Sequence, residues 1–132
     1  MVSGLLMTLA AGREPPPVEH PADSLISRAQ DEVSRRMEEN LNATALARLM
    51  GVSREYLTRK FREQIAITPH EYIVRQKMLH ACHLLKETTL SSKEVSTRLG
   101  YREPAHFTRT FKRVLQMTPR QFRSVGSIPQ VL

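Results

Sequence analysis

The chain has 132 residues, and its 20 Lys+Arg against 13 Asp+Glu give a net charge of +7. That length suits one compact domain or two small linked lobes and leaves no room for a large substrate pocket as well. The charge is uneven: residues 1–40 carry 4 basic and 7 acidic side chains, residues 41–132 carry 16 and 6. The basic excess therefore belongs to the later stretch and points to a polyanionic partner. A membrane surface is the rival, but no basic amphipathic helix with a broad bulky apolar face supports it. Cys82 is the single cysteine, so no internal disulfide forms and a reducing cytosol is the natural compartment. Met1–Ala11 is too short to span a bilayer and lacks the basic start of a secretory signal.

In chain order, Leu5–Ala11 reads as one or two helical turns. Arg13–Pro21, with Pro15, Pro16, Pro17 and Pro21, reads as a stiff linker, so that residues 1–22 stand apart from any core. Asp23–Asn40 is expected to be helical, capped by Asp23 or Ser24, with Ile26, Ala29, Val33 and Met37 forming a stripe at spacings of three and four. Asn42 can cap a helix over Ala43–Met50, and Ser53 one over Arg54–Glu63. Thr68 caps the next helix, Pro69–Glu87, with Pro69 at its first position and Val74, Met78, Ala81 and Leu85 as its inner stripe. Ser91 and Glu94 form a capping box. Pro104 opens a further helix, Thr118–Pro119 a short last one to about Arg123, and residues 124–132 read as a frayed tail.

The later stretch contains one pattern twice. Leu41–Tyr72 is answered by Leu90–Phe122: Gly51 by Gly100, 49 positions on, and then, after one inserted residue, Thr58 by Thr108, Arg59 by Arg109, Phe61 by Phe111 and Pro69 by Pro119. Matched glycine, apolar and arginine positions at so long a period imply two copies of one supersecondary unit. Within it, Ala47, Gly51 and Leu57 are spaced as two short helices meeting across a tight turn require. The alanine lets the helices approach, the glycine accepts a positive φ, and the leucine packs back between them. Leu57 and Phe61 turn inward, as do Phe107 and Phe111. Glu55, Thr58, Arg59 and Arg62 fall on the outer face of the first copy, and Ala105, Thr108, Arg109 and Lys112 on that of the second. This is the pattern of a helix-turn-helix whose second helix enters a DNA major groove. The expected architecture is all-α, with a first unit over residues 23–68, a connector over 69–88 and a second unit over 89–123.

The run GVSREYLTRKFRE through ITPHEYIVRQKMLHACHLLKETTLSSKEVSTRLGYREPAHFTRTFKR to MTPRQFR resembles the DNA-binding domain of the AraC/XylS family of bacterial transcription regulators. The resemblance covers roughly Asp23–Arg123, and the second copy carries its most specific part. It implies two helix-turn-helix units joined by a long helix and bound to adjacent major-groove segments. It also implies an activator; RNA polymerase is the expected protein partner, no cofactor is assigned, and the domain is expected to be cytoplasmic, nucleoid-associated and monomeric in isolation. Members often carry an upstream ligand-binding domain, whose last helix the apolar stretch before the prolines would then be; the alternative is a short protein with a disordered tail. The sequence departs from the family where glycine is usual at Ala66 and Gln116, alanine at Ser96, phenylalanine at Tyr101 and arginine at Lys77. Glu103 stands where an aspartate or serine cap is favoured. The usual glycines imply a left-handed residue after each recognition helix.

No phosphate-binding glycine loop, nucleophile elbow or zinc-protease helix occurs, so no catalytic residue is assigned. His80, Cys82 and His83 lie on adjacent turns and do not converge as metal ligands. Base-edge reading is assigned to Arg59 and Arg109, helped by Glu55, Thr58, Ala105 and Thr108. Phosphate gripping is assigned to Arg62, Lys112, Arg113, His106 and the capped helix starts at Asn42 and Ser91. Glu55 has two readings, an intrahelical partner for Arg59 or an acceptor for a cytosine amino group. His106 likewise either donates to phosphate or a base edge, or packs at the groove rim. The competing reading of the whole is a protein-interaction module, contacting RNA polymerase or another regulator, with weak DNA affinity.

Overall fold

The computed structural model describes residues 21–125; the expected apolar turns, most of the proline linker and the last seven residues lie outside that range. The described residues form seven helices: α1 (Pro21–Arg35), α2 (Ala43–Met50), α3 (Arg54–Ile65), α4 (Pro69–Glu87), α5 (Ser92–Arg98), α6 (Pro104–Leu115) and α7 (Pro119–Val125). The first three pack as one lobe, the last three as another, and α4 runs between and into both.

Local chemistry sets most helix starts. Ala45 N–H donates to Asn42 Oδ1 at 2.8 Å, Tyr56 N–H to Ser53 Oγ at 3.0 Å and Glu71 N–H to Thr68 Oγ1 at 3.1 Å. At α5 the exchange is reciprocal, Glu94 N–H to Ser91 Oγ at 3.0 Å and Ser91 N–H to Glu94 Oε1 at 2.8 Å. Each bond satisfies a donor that the first helical turn would otherwise leave unpaired. Glu103 makes no such bond, and α6 begins on Pro104, which has no N–H to satisfy.

The first helix differs from its expected span. It starts at Pro21, placing Asp23 and Ser24 inside the first turn rather than at the cap, and it ends at Arg35 rather than Asn40. Beyond it the chain tightens into turns, with Arg36 N–H to Val33 O and Glu39 N–H to Arg36 O, both 3.1 Å. The Arg36 guanidinium pairs with both Glu32 and Glu39. These local bonds give the backbone an alternative to a further helical turn. Met37 still packs against the same core as Ile26, Ala29 and Val33.

Two apolar cores result. Leu46, Leu57 and Phe61 centre the first; Val95, Leu99, Phe107, Phe111 and Phe122 centre the second. The connector feeds both, Ile73 into the first and Met78, Ala81, Cys82, Leu84 and Leu85 into the second. Its expected stripe was therefore one face of two, and Ile73 belongs to the other.

Gly51 (φ 74°) and Gly100 (φ 90°) are left-handed at the two tight turns. A Cβ would meet nothing within 4 Å at either site, so the backbone angle and not crowding calls for glycine. After each outer helix, Ala66 (φ 68°) and Gln116 (φ 65°) hold the same left-handed geometry with a side chain. The left-handed residue expected after each outer helix is therefore present without its glycine.

Candidate nucleic-acid interface

Helices α3 and α6 are each buried on one side and exposed on the other. Leu57 and Phe61 on α3, and Phe107 and Phe111 on α6, have no solvent exposure. Opposite them lie exposed Glu55, Arg59 and Arg62 on α3, and exposed Ala105, Arg109 and Lys112 on α6; Thr58 and Thr108 are half-buried at the edges. The structure thus brings the expected base-reading residues of each unit onto one surface. The Thr108 hydroxyl already donates to Pro104 O at 3.0 Å, which leaves it acceptor capacity only.

The Glu55–Arg59 ion pair, one of the two readings of Glu55, does not form. The Arg59 guanidinium lies over the Tyr56 ring, 5.1 Å from its centroid, and Lys60 Nζ approaches the same ring at 5.6 Å. An exposed ion pair is worth little against water, whereas the guanidinium stacks on an aromatic face without giving up its solvation.

Among the residues assigned to phosphate, Arg62 and Lys112 are exposed at the ends of their outer faces. Asn42 and Ser91 are exposed, with side-chain oxygens committed to capping α2 and α5. His106 is exposed, its ring edge-on to Tyr101 with centroids 5.3 Å apart. Arg113 is turned elsewhere: its Nη1 lies 3.2 Å from Glu71 Oε2 on the connector. Arg75 shares that carboxylate at 3.1 Å. Burial pushes the Glu71 carboxyl up, and the two guanidiniums outweigh it to hold it below its ordinary value.

Sequence patterning missed the side chains that tie the lobes to the connector and to each other. Lys77 is buried and its Nζ donates to Leu99 O at 3.2 Å, closing the end of α5 onto the connector. Burial lowers its pKa. Arg123 Nε donates to Leu85 O at 2.8 Å, where α4 runs out of partners for its last carbonyls. Glu38 accepts from His80 at 2.9 Å and lies 3.9 Å from Arg98. A cleft of about 690 Å³ opens between the lobes, lined in part by Asn42, Lys77, Tyr101, His106 and Arg113. Lys77 and Arg113 are already bound to protein groups there.

Cys82 is buried in the second core, and burial pushes its thiol up to about 11, so it stays protonated and inert. Among the described residues no cluster of His, Cys, Asp or Glu could hold a metal ion. No described helix is long and apolar enough to cross a membrane.

Two short helix pairs, each with an apolar inner face and a basic outer helix, and both fixed to one connector, define a two-headed helix-turn-helix protein. A family model described as a helix-turn-helix domain matches residues 46–124. The HTH-type transcriptional regulator GlxA of Rhizobium meliloti (strain 1021) is 35% identical over 104 residues, which cover 79% of this chain and 31% of that protein. The chain thus spans about a third of that relative's length. A transcriptional regulator from Chromobacterium violaceum with an AraC-type DNA-binding domain superposes with a TM-score of 0.75 at 26% identity, covering 82% of this chain and 96% of that one. The DNA-binding domain of AdpA, a global transcriptional factor solved in complex with a target DNA, superposes with a TM-score of 0.66 at 26% identity, covering 81% and 93%. The chain belongs to the AraC-type family of helix-turn-helix DNA-binding transcription regulators.

Proposed function

We propose that the chain binds double-stranded DNA sequence-specifically, with α3 and α6 reading two adjacent major-groove segments of one asymmetric site. The observation that carries this reading is the equivalence of Arg59 and Arg109, each exposed on the outer face of a helix whose inner face is fully packed. A guanidinium in a major groove can bond two acceptors of guanine at once, which no single donor can do. Glu55, Thr58, Ala105 and Thr108 surround the two arginines and complete the reading surfaces. Arg62 and Lys112, one turn further on, grip phosphate, as do His106 and the helix starts at Asn42 and Ser91, where N-terminal dipoles favour an anion. Arg113 is better placed as a tie between the lobes than as a phosphate ligand, because Glu71 holds it.

The connector has 19 residues, or about 28 Å at 1.5 Å per residue, close to the roughly 34 Å between successive major grooves on one duplex face. The lobes are unequal at outward positions, with Glu55 answered by Ala105 and Arg62 by Lys112, so the site is asymmetric and non-palindromic and one monomer reads it. By family resemblance the protein acts as an activator in the cytoplasm, on nucleoid DNA, with RNA polymerase as its protein partner. Selection from random duplexes followed by footprinting tests the proposal. Protection of a defined sequence over two helical turns is expected. Protection over one turn, or binding indifferent to sequence, would refute two-headed reading.

A further inference from the structure

Tyr56 and His106 occupy the same place in the repeat and are used differently. In the first unit Tyr56 sits in the first turn of α3, its N–H held by Ser53 and its ring packed against the first core. Arg59, one turn on, rests over that ring at 5.1 Å. Lys60 shares the ring but is drawn toward Glu63, at 3.2 Å. In the second unit the His106 ring is turned to Tyr101, and among the described residues no aromatic ring underlies Arg109. One arginine is therefore held and its counterpart is free.

We propose that Tyr56 is a positioning residue for base recognition: its core-anchored ring presets Arg59, so that the first head discriminates among bases more sharply than the second. This rests on the reading of Arg59 as a base-contacting residue. A long exposed side chain loses rotamer freedom when it docks, and a guanidinium already resting on a ring has lost part of it beforehand. The planar group can keep one face on the ring while its edge donates outward, which an ammonium cannot do. Arg109 must be ordered entirely on binding.

The test compares affinities for the selected duplex and its single base-pair substitutions, using wild type, Tyr56→Phe, Tyr56→Leu, Arg59→Ala and the Tyr56→Leu/Arg59→Ala double variant. Arg59→Ala identifies the base pairs that Arg59 reads. At those pairs Tyr56→Leu is expected to reduce discrimination about two- to fivefold, the size of an exposed cation–π contact. Discrimination in the other half-site should stay as it was. Tyr56→Phe, which keeps the ring, should retain discrimination, and Tyr56→Leu should have no further effect once Arg59 is alanine. A structural role alone would weaken all sequences alike and leave these ratios unmoved. Unchanged or sharper discrimination in Tyr56→Leu, with Arg59→Ala losing its base pairs, overturns the positioning role alone. If Arg59→Ala leaves every base preference intact, the base-reading assignment falls and this inference falls with it.

Discussion

Arg113, near the end of the second outer helix, is paired with Glu71 at the start of the connector, 42 residues earlier in the chain. The contact spans the two lobes, and Arg75 completes it from the connector's next turn. The burial that raises the Glu71 carboxyl is outweighed by the two guanidiniums, so its folded-state pKa lies below the unfolded value. A depressed carboxylate contributes stability that is present above its unfolded pKa and is lost as pH falls through the lower, folded value. Glu71→Gln should therefore be less stable than wild type near neutrality, and the difference should shrink as pH drops from about 5 toward 3. Urea midpoints across that range check it. A difference independent of pH would mean the carboxylate's charge is not what stabilises the contact.

Ser96 stands where the first copy has Ala47, and both are buried at the crossing of their helix pairs. The Ser96 hydroxyl oxygen is enclosed without a hydrogen-bond partner. A buried unpaired hydroxyl costs about 1–3 kcal/mol. Ser96→Ala removes it and leaves only a small void, so it should stabilise the protein by about 1 kcal/mol, read as a rise in urea midpoint with unchanged slope. Destabilisation by the alanine would show that the hydroxyl is satisfied in solution.

The left-handed residues Ala66 and Gln116 are expected to respond unequally to glycine. Ala66 has only its strained backbone angle at stake, and Ala66→Gly should stabilise by about 0.5–1 kcal/mol once the entropy glycine adds to the unfolded chain is counted. The side-chain amide of Gln116 donates to Arg113 O at 2.8 Å, so Gln116→Gly relieves the same strain and loses a helix-end bond. Its gain should be smaller than that of Ala66→Gly. Thermal unfolding of both variants gives the comparison, and an equal or larger gain at Gln116 would contradict it.

Much of this fold was legible because its signals are local. The caps at Asn42, Ser53, Thr68 and Ser91 and the two glycine turns act within a few residues of themselves, and the 49- and 50-residue repeat shows the same local pattern twice. The same holds for the outward arginines, whose placement follows from helix periodicity once Leu57, Phe61, Phe107 and Phe111 are set inward. Contacts that a side chain makes with a residue far away in sequence were not legible. Lys77 to Leu99, Arg113 to Glu71 and Arg123 to Leu85 join residues 22, 42 and 38 apart, and no period predicts them. Arg59 shows a subtler limit, since the spacing that favours a Glu55 pair also places Tyr56 within reach, and only the packing of the ring decides between them. The end of α1 at Arg35 was missed for a similar reason: the Glu32, Arg36 and Glu39 side chains stabilise a turn where the apolar stripe still runs on to Met37.

The most direct test of the central claim separates reading from gripping. Arg59→Ala, Arg109→Ala, Arg62→Ala and Lys112→Ala are each measured against the selected duplex and its point-mutated versions at several salt concentrations. Arg59→Ala and Arg109→Ala should each relax base preference by about 1–3 kcal/mol in one half of the site and leave the other half intact. Arg62→Ala and Lys112→Ala should weaken all sequences alike and reduce the salt slope by about one unit. Uniform weakening at every base in Arg59→Ala and Arg109→Ala, indistinguishable from the phosphate pair, would contradict the assignment of these two arginines as the readers of adjacent grooves.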